Sequence, residues 1–119
     1  PGYSEDALLS NYRRILAQIK ERLSEAEVYV MAYYPVNETD KLSRCAQGES
    51  TFANRNNRNI DAANRRIAGL AAEMGMHYID VSEGLRDAQG KLKAEFTVEG
   101  IHMYANAYYV IFENMERYL

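Results

Sequence analysis

The chain has 119 residues, 47% of them hydrophobic and 26% charged, with a formal net charge of −3. That size and balance suit a single soluble α/β-sized domain, and the acidic charge with scattered arginines argues against a nucleic-acid binder. No apolar run approaches the roughly 20 residues a membrane-spanning helix needs, and the single cysteine, Cys45, excludes an internal disulfide and gives no metal-ligand spacing.

In chain order, Ser4-Glu5-Asp6 reads as an N-cap followed by acids in a first helical turn. Leu8, Tyr12, Ile15, Leu16, Ile19 and Leu23 recur at helical spacing and predict a helix over 5–23. Residues 28–34, Val-Tyr-Val-Met-Ala-Tyr-Tyr, are apolar on both faces, as a buried parallel strand is. Pro35 ends that run because it has no N–H to give. Residues 37–55 are polar and irregular, long enough to be a functional loop. A second helix is predicted over 56–74, with Ile60, Ala63, Ile67, Leu70, Ala71 and Met74 as its stripe, Asn64 as a polar exception near its edge, and Gly75 as its stop. Residues 76–81 form a second strand, completing a βαβ unit. Leu85 and Leu92 pack down the segment that follows. A last helix is expected over 104–118, with Ala105, Tyr108, Phe112, Met115 and Leu119 turned inward.

Two strands make a marginal sheet, and a strand buried on both faces leaves an apolar edge open to association. Either further strands or a partner is therefore expected. A homodimer joined through the edge of strand 28–34 is the simplest such partner.

The chemistry concentrates in Phe96-Thr97-Val98-Glu99-Gly100-Ile101-His102-Met103. A carboxylate three residues before a histidine can orient and charge the imidazole, which is the base half of a nucleophilic hydrolase. Glu99 and His102 are the catalytic candidates. Tyr34 and Asn37 lie at the C-terminal end of the first strand, where α/β sites open. They are candidate substrate-binding residues. Asp80 ends the other strand and His77 lies within it, and both read better as structural groups. No residue pattern calls for a metal or an organic cofactor.

The order and spacing of several pieces make the chain resemble the C-terminal half of an SGNH hydrolase, the GDSL-like lipase and acylhydrolase family. They are Asn11-Tyr12-Arg13-Arg14, Tyr34-Pro35-Val36-Asn37, the asparagine-rich approach to the second helix, Tyr78-Ile79-Asp80-Val81, the stretch from Asp87 through Gly90 to Leu92, and the block from Phe96 to His102. The resemblance covers nearly the whole chain as one partial domain, residues 1–119. It implies a flavodoxin-like three-layer fold, here α-β-α-β-α with two parallel strands and without the first three strands of the family's sheet.

It also implies a serine ester hydrolase acting on small-molecule, lipid or carbohydrate esters. The family closes with Asp-x-x-His, so His102 matches the triad base and Glu99 the acid, one methylene longer than aspartate. The asparagine and glycine that often follow the family's histidine are Tyr104 and Ala107 here. The family's Gly-Asp-Ser nucleophile motif and its Gly-x-Asn-Asp oxyanion segment have no counterpart, so the chain by itself is expected to be inactive. The alternatives are a non-catalytic dimerising α/β module and, with less support, a partial flavodoxin-like signalling domain. A lone thiol leans towards a reducing, cytoplasmic compartment. A chain beginning Pro1-Gly2 leaves a leader sequence open.

Overall fold

The computed structural model describes residues 2–39 and 51–119; Cys45 lies outside them. Helix α1 is Glu5–Arg22, strand β1 Tyr29–Met31, helix α2 Asn57–Glu73, strand β2 His77–Ile79 and helix α3 Ala105–Glu116, with a 3₁₀ turn at Ala94–Phe96. This is the α-β-α-β-α order expected.

Helix α1 starts where the Ser4 hydroxyl accepts from the Ala7 N–H at 3.1 Å. The acids of its first turn also meet Arg66 of α2, which donates to Glu5 and Asp6 at 2.9 and 2.8 Å. Its buried line runs through Leu9 and Leu16, flanked by Leu8, Tyr12 and Ile19. Ile15 and Leu23, assigned to the stripe from spacing, are exposed. Ile15 lies on the far shoulder of the stripe from Leu9, where no described element covers it.

Strands β1 and β2 pair in parallel, Tyr29 opposite His77, Val30 opposite Tyr78 and Met31 opposite Ile79. The Val28 carbonyl accepts from His77 and the Ala32 N–H donates to the Ile79 carbonyl. The ladder is shorter than the predicted 28–34 because the chain beyond Ala32 bonds elsewhere. Asn64 of α2 accepts from the Tyr33 N–H at 2.8 Å and donates to the Tyr33 carbonyl at 3.1 Å. Two helical turns earlier, Asn57 does the same for Val36, at 3.0 and 2.7 Å. Two asparagines on one helix face thus replace a neighbouring strand. Asn64 is accordingly buried, not placed at the stripe's edge.

Helix α2 is capped by Asn56, which accepts from the Asn59 N–H at 2.9 Å. It stops at Gly75, whose φ of +70° suits the C′ role predicted for it. Strand β2 stops at Ile79, short of the predicted residue 81. Asp80 turns the chain by accepting from both the N–H and the hydroxyl of Ser82.

Alternation along the strands separates two cores. Leu9, Leu16, Val30, Ile67, Leu70 and Ala71 pack on the face covered by α1 and α2. Ile79, Val81, Leu85, Leu92, Ala107 and Ile111 pack on the face covered by α3. Leu85 and Leu92 are fully buried, as expected. The orientation of α3 differs from the prediction. Ala107, Ile111 and Asn114 face inward, while Tyr108, Phe112 and Leu119 are exposed. Asn114 fixes this rotation by donating to the carbonyls of Val81 and Glu83 at 2.9 and 2.8 Å. The helix is apolar on nearly every side, so spacing alone could not select the buried face.

Candidate active site

The segment after the 3₁₀ turn closes on itself. Thr97 and Met103 form an antiparallel bridge. The Tyr104 N–H donates to the Phe96 carbonyl and the Val98 N–H to the His102 carbonyl, both at 2.9 Å. Inside this loop the Thr97 hydroxyl donates to the His102 carbonyl and accepts from the Gly100 N–H, each at 2.8 Å.

Gly100 makes the turn possible. Its φ is +105°, and a Cβ there would lie 2.4 Å from the Asn37 carbonyl oxygen and 2.7 Å from the Phe52 ring. The Gly100 carbonyl in turn accepts from the Asn37 N–H at 2.8 Å. The loop is thereby tied to the chain that leaves β1.

The turn brings Glu99 and His102 together. Glu99 Oε1 accepts from the N–H groups of Ile101 and His102 at 3.1 and 2.7 Å, and Oε2 pairs with His102 Nδ1. Partial burial pushes the Glu99 carboxyl up. The hydrogen bonds from the His102 ring and from the two N–H groups outweigh it and bring the pKa down to about 2. Glu99 is therefore a carboxylate at neutral pH. An acceptor at Nδ1 selects the tautomer with the proton on Nδ1, which leaves Nε2 with a lone pair. The imidazole is 78% exposed and the Glu99 side chain 28%. A reactant or another polypeptide can therefore reach the ring.

Beside the loop lies an open cleft of about 930 Å³. Its walls include Tyr33, Tyr34, Val36, Ile60, Ala63 and Ile101, with Asn54 and Arg55 among its polar groups. Ile101 puts the loop at the cleft's margin. Tyr34 is half-buried against the α3 cluster. Burial, followed by the neighbouring Tyr108, raises its phenol pKa.

The other candidate, Asn37, has its side chain engaged within the protein. It donates to the Leu92 carbonyl at 2.9 Å and accepts from the Thr39 N–H at 3.2 Å and from the Thr39 hydroxyl. Neither His77 nor Asp80 joins the loop. His77 stacks on Tyr29 and meets Glu27 at 3.0 Å, and Asp80 serves the Ser82 turn. Among the described residues no group of three or more His, Cys, Asp and Glu side chains could hold a metal ion. No helix among them is long and apolar enough to cross a membrane.

Thr97, Asn57 and Asn64 escaped the sequence reading as positioning groups. Only Asn64 carried a signal, as a polar residue inside an apolar stripe.

The chain is thus a layered α/β fragment that carries a carboxylate–histidine pair on the loop before its last helix. Residues 1–110 match the GDSL-like Lipase/Acylhydrolase family, and the chain belongs to that family. Among solved structures it is similar to one from Streptococcus pneumonia described as a candidate platelet activating factor. The TM-score is 0.83 at 23% identity, over 96% of this chain and 51% of that one. It is also similar to a candidate acylhydrolase from Bacteroides fragilis, with TM-score 0.75 and 17% identity, over 98% of this chain and 52% of that one. A GDSL-like lipase from Bacteroides thetaiotaomicron gives TM-score 0.71 and 15% identity, over 98% and 53% of the two chains. The chain thus spans about half the length of the structures it matches. No curated protein matches it.

Proposed function

We propose that this chain carries the acid and base of a serine ester hydrolase, and that the nucleophile and oxyanion donors come from polypeptide outside residues 1–119. The observation that carries the reading is the Glu99–His102 pair, an ionised carboxylate on Nδ1 of an exposed imidazole. Family membership supports it, as does the α/β arrangement of three helices about a parallel strand pair. In the reaction a serine hydroxyl attacks the ester carbonyl while His102 Nε2 takes its proton. Glu99 stabilises the imidazolium, which then protonates the departing alcohol. Water, deprotonated by the same nitrogen, cleaves the acyl-enzyme and releases the acid. The substrate is a small-molecule, lipid or carbohydrate ester. Tyr34 lines its cleft, and Asn37 fixes the base's loop beside it. The chemistry requires no cofactor.

Nitrophenyl acetate hydrolysis by the 119-residue chain, with His102→Ala as control, tests where the nucleophile resides. The reading expects no turnover above the control. Turnover that is lost with His102→Ala would show that the chain completes its own site.

A second reading is a non-catalytic module that dimerises. Among the described residues no strand pairs with the far side of β1, which favours it. Alternation turns the N–H and C=O groups of Tyr29 and Met31 away from β2, and α3 leaves Tyr108, Tyr109 and Phe112 exposed. Two copies could join at that edge about a two-fold axis.

A further inference from the structure

The acid and base are three residues apart in a tight loop, so something must hold its arms at the spacing the pair requires. Beyond the bond from the Tyr104 N–H to the Phe96 carbonyl at the loop's base, three groups could do so. The Asn37 N–H reaches only the Gly100 carbonyl. The Val98 N–H reaches only the His102 carbonyl. The Thr97 hydroxyl alone reaches both arms of the turn, donating to the His102 carbonyl and accepting from the Gly100 N–H at 2.8 Å each. Thr97 is 5% exposed, so water does not readily replace it.

We infer that Thr97 is a positioning residue for the acid–base pair, its hydroxyl holding the backbone of Gly100 and His102 so that Glu99 meets the His102 ring and main chain together. This rests on the proposed hydrolase reading for its purpose but not for its geometry. Glu99 bonds the N–H groups of Ile101 and His102 with one oxygen and the ring with the other. Both sets of donors lie between or at the two groups that Thr97 ties. Removing the hydroxyl leaves the buried Gly100 N–H without its acceptor and frees one of the two bonds on the His102 carbonyl. The turn then relaxes, and the carboxylate cannot keep all its donors.

Nuclear magnetic resonance of the 119-residue chain tests this without requiring catalysis. Glu99 Cδ and the His102 ring nitrogens are followed through a pH titration in wild type, Thr97→Val and Thr97→Ser. The valine variant keeps the shape and loses the hydroxyl. Its Glu99 midpoint should rise by about one pH unit or more towards the ordinary carboxylate range, and its His102 ring should lose the preference for a proton on Nδ1. Serine should restore both. A folded Thr97→Val chain with wild-type Glu99 and His102 behaviour would overturn the proposal, as would a serine variant that behaves like valine. Should the valine variant not fold, the wild-type Gly100 amide decides. Exchange slowed at least about a hundredfold, and kept slow in Thr97→Ser, supports the tie; exchange at the rate of an open amide contradicts it. Absence of hydrolysis in any form of the protein would count against the hydrolase reading and leave these resonances as they are.

Discussion

Gly100 is where backbone conformation and site geometry meet. Its φ of +105° is unfavourable for a side chain, and a Cβ would strike the Asn37 carbonyl and the Phe52 ring. Gly100→Ala should therefore destabilise the fold by roughly 2–4 kcal/mol, combining backbone strain with a steric clash. Urea unfolding would measure it. Glu99 gives a second prediction. Its folded-state pKa of about 2 lies below the ordinary 4.5, so its ionised form binds the folded loop more favourably than the unfolded chain. That contribution is complete above about pH 4.5 and is lost as pH falls towards 2. The urea midpoint should fall across this window, and Glu99→Gln should flatten the dependence. Much of this site was legible in the sequence, since Glu-x-x-His with an intervening glycine names both partners. The part that was not legible is the hydroxyl tie. A threonine before a glycine turn has no distinctive pattern, and its two bonds depend on a loop closure that spacing does not reveal.

At the level of elements, asparagines decide what hydrophobic spacing leaves open. Asn57 holds both backbone groups of Val36 and also meets the Glu38 carboxylate at 2.9 Å. Asn57→Ala should cost about 1–3 kcal/mol, because it leaves the buried Val36 N–H without its acceptor, while the Val36 carbonyl keeps only the Leu92 N–H. Thermal or urea unfolding is the check. The existence and order of the helices and strands could be read from periodicity, as could the stop at Gly75. The face of α3 could not. Tyr108, Tyr109, Val110, Ile111 and Phe112 offer apolar side chains all round the helix, and polar bonds, above all those from the buried Asn114 to Val81 and Glu83, select the inward side. The length of β1 was overestimated for a related reason. Its composition continues past Ala32, while its hydrogen bonds pass from β2 to the side chains of α2.

Among the described residues, no strand pairs with the far side of β1, and the aromatic side of α3 is exposed. A chain that spans about half of the structures it resembles presents such surfaces where a sheet continues or where a second copy docks. Light scattering of the 119-residue chain separates these at the level of association. The dimerising module requires a stable dimer at micromolar concentration, and a monomer across that range would remove it. The hydrolase reading makes a stronger demand, because it assigns a chemical role to one exposed imidazole. The most direct test is ester hydrolysis by the gene product that carries this segment, at whatever length the cell makes it, compared with its His102→Ala variant. The account predicts that hydrolysis falls in kcat by on the order of 10⁵-fold or more with His102→Ala while the fold persists. Hydrolysis that survives the loss of His102, or a gene product with no esterase activity at all, would contradict it.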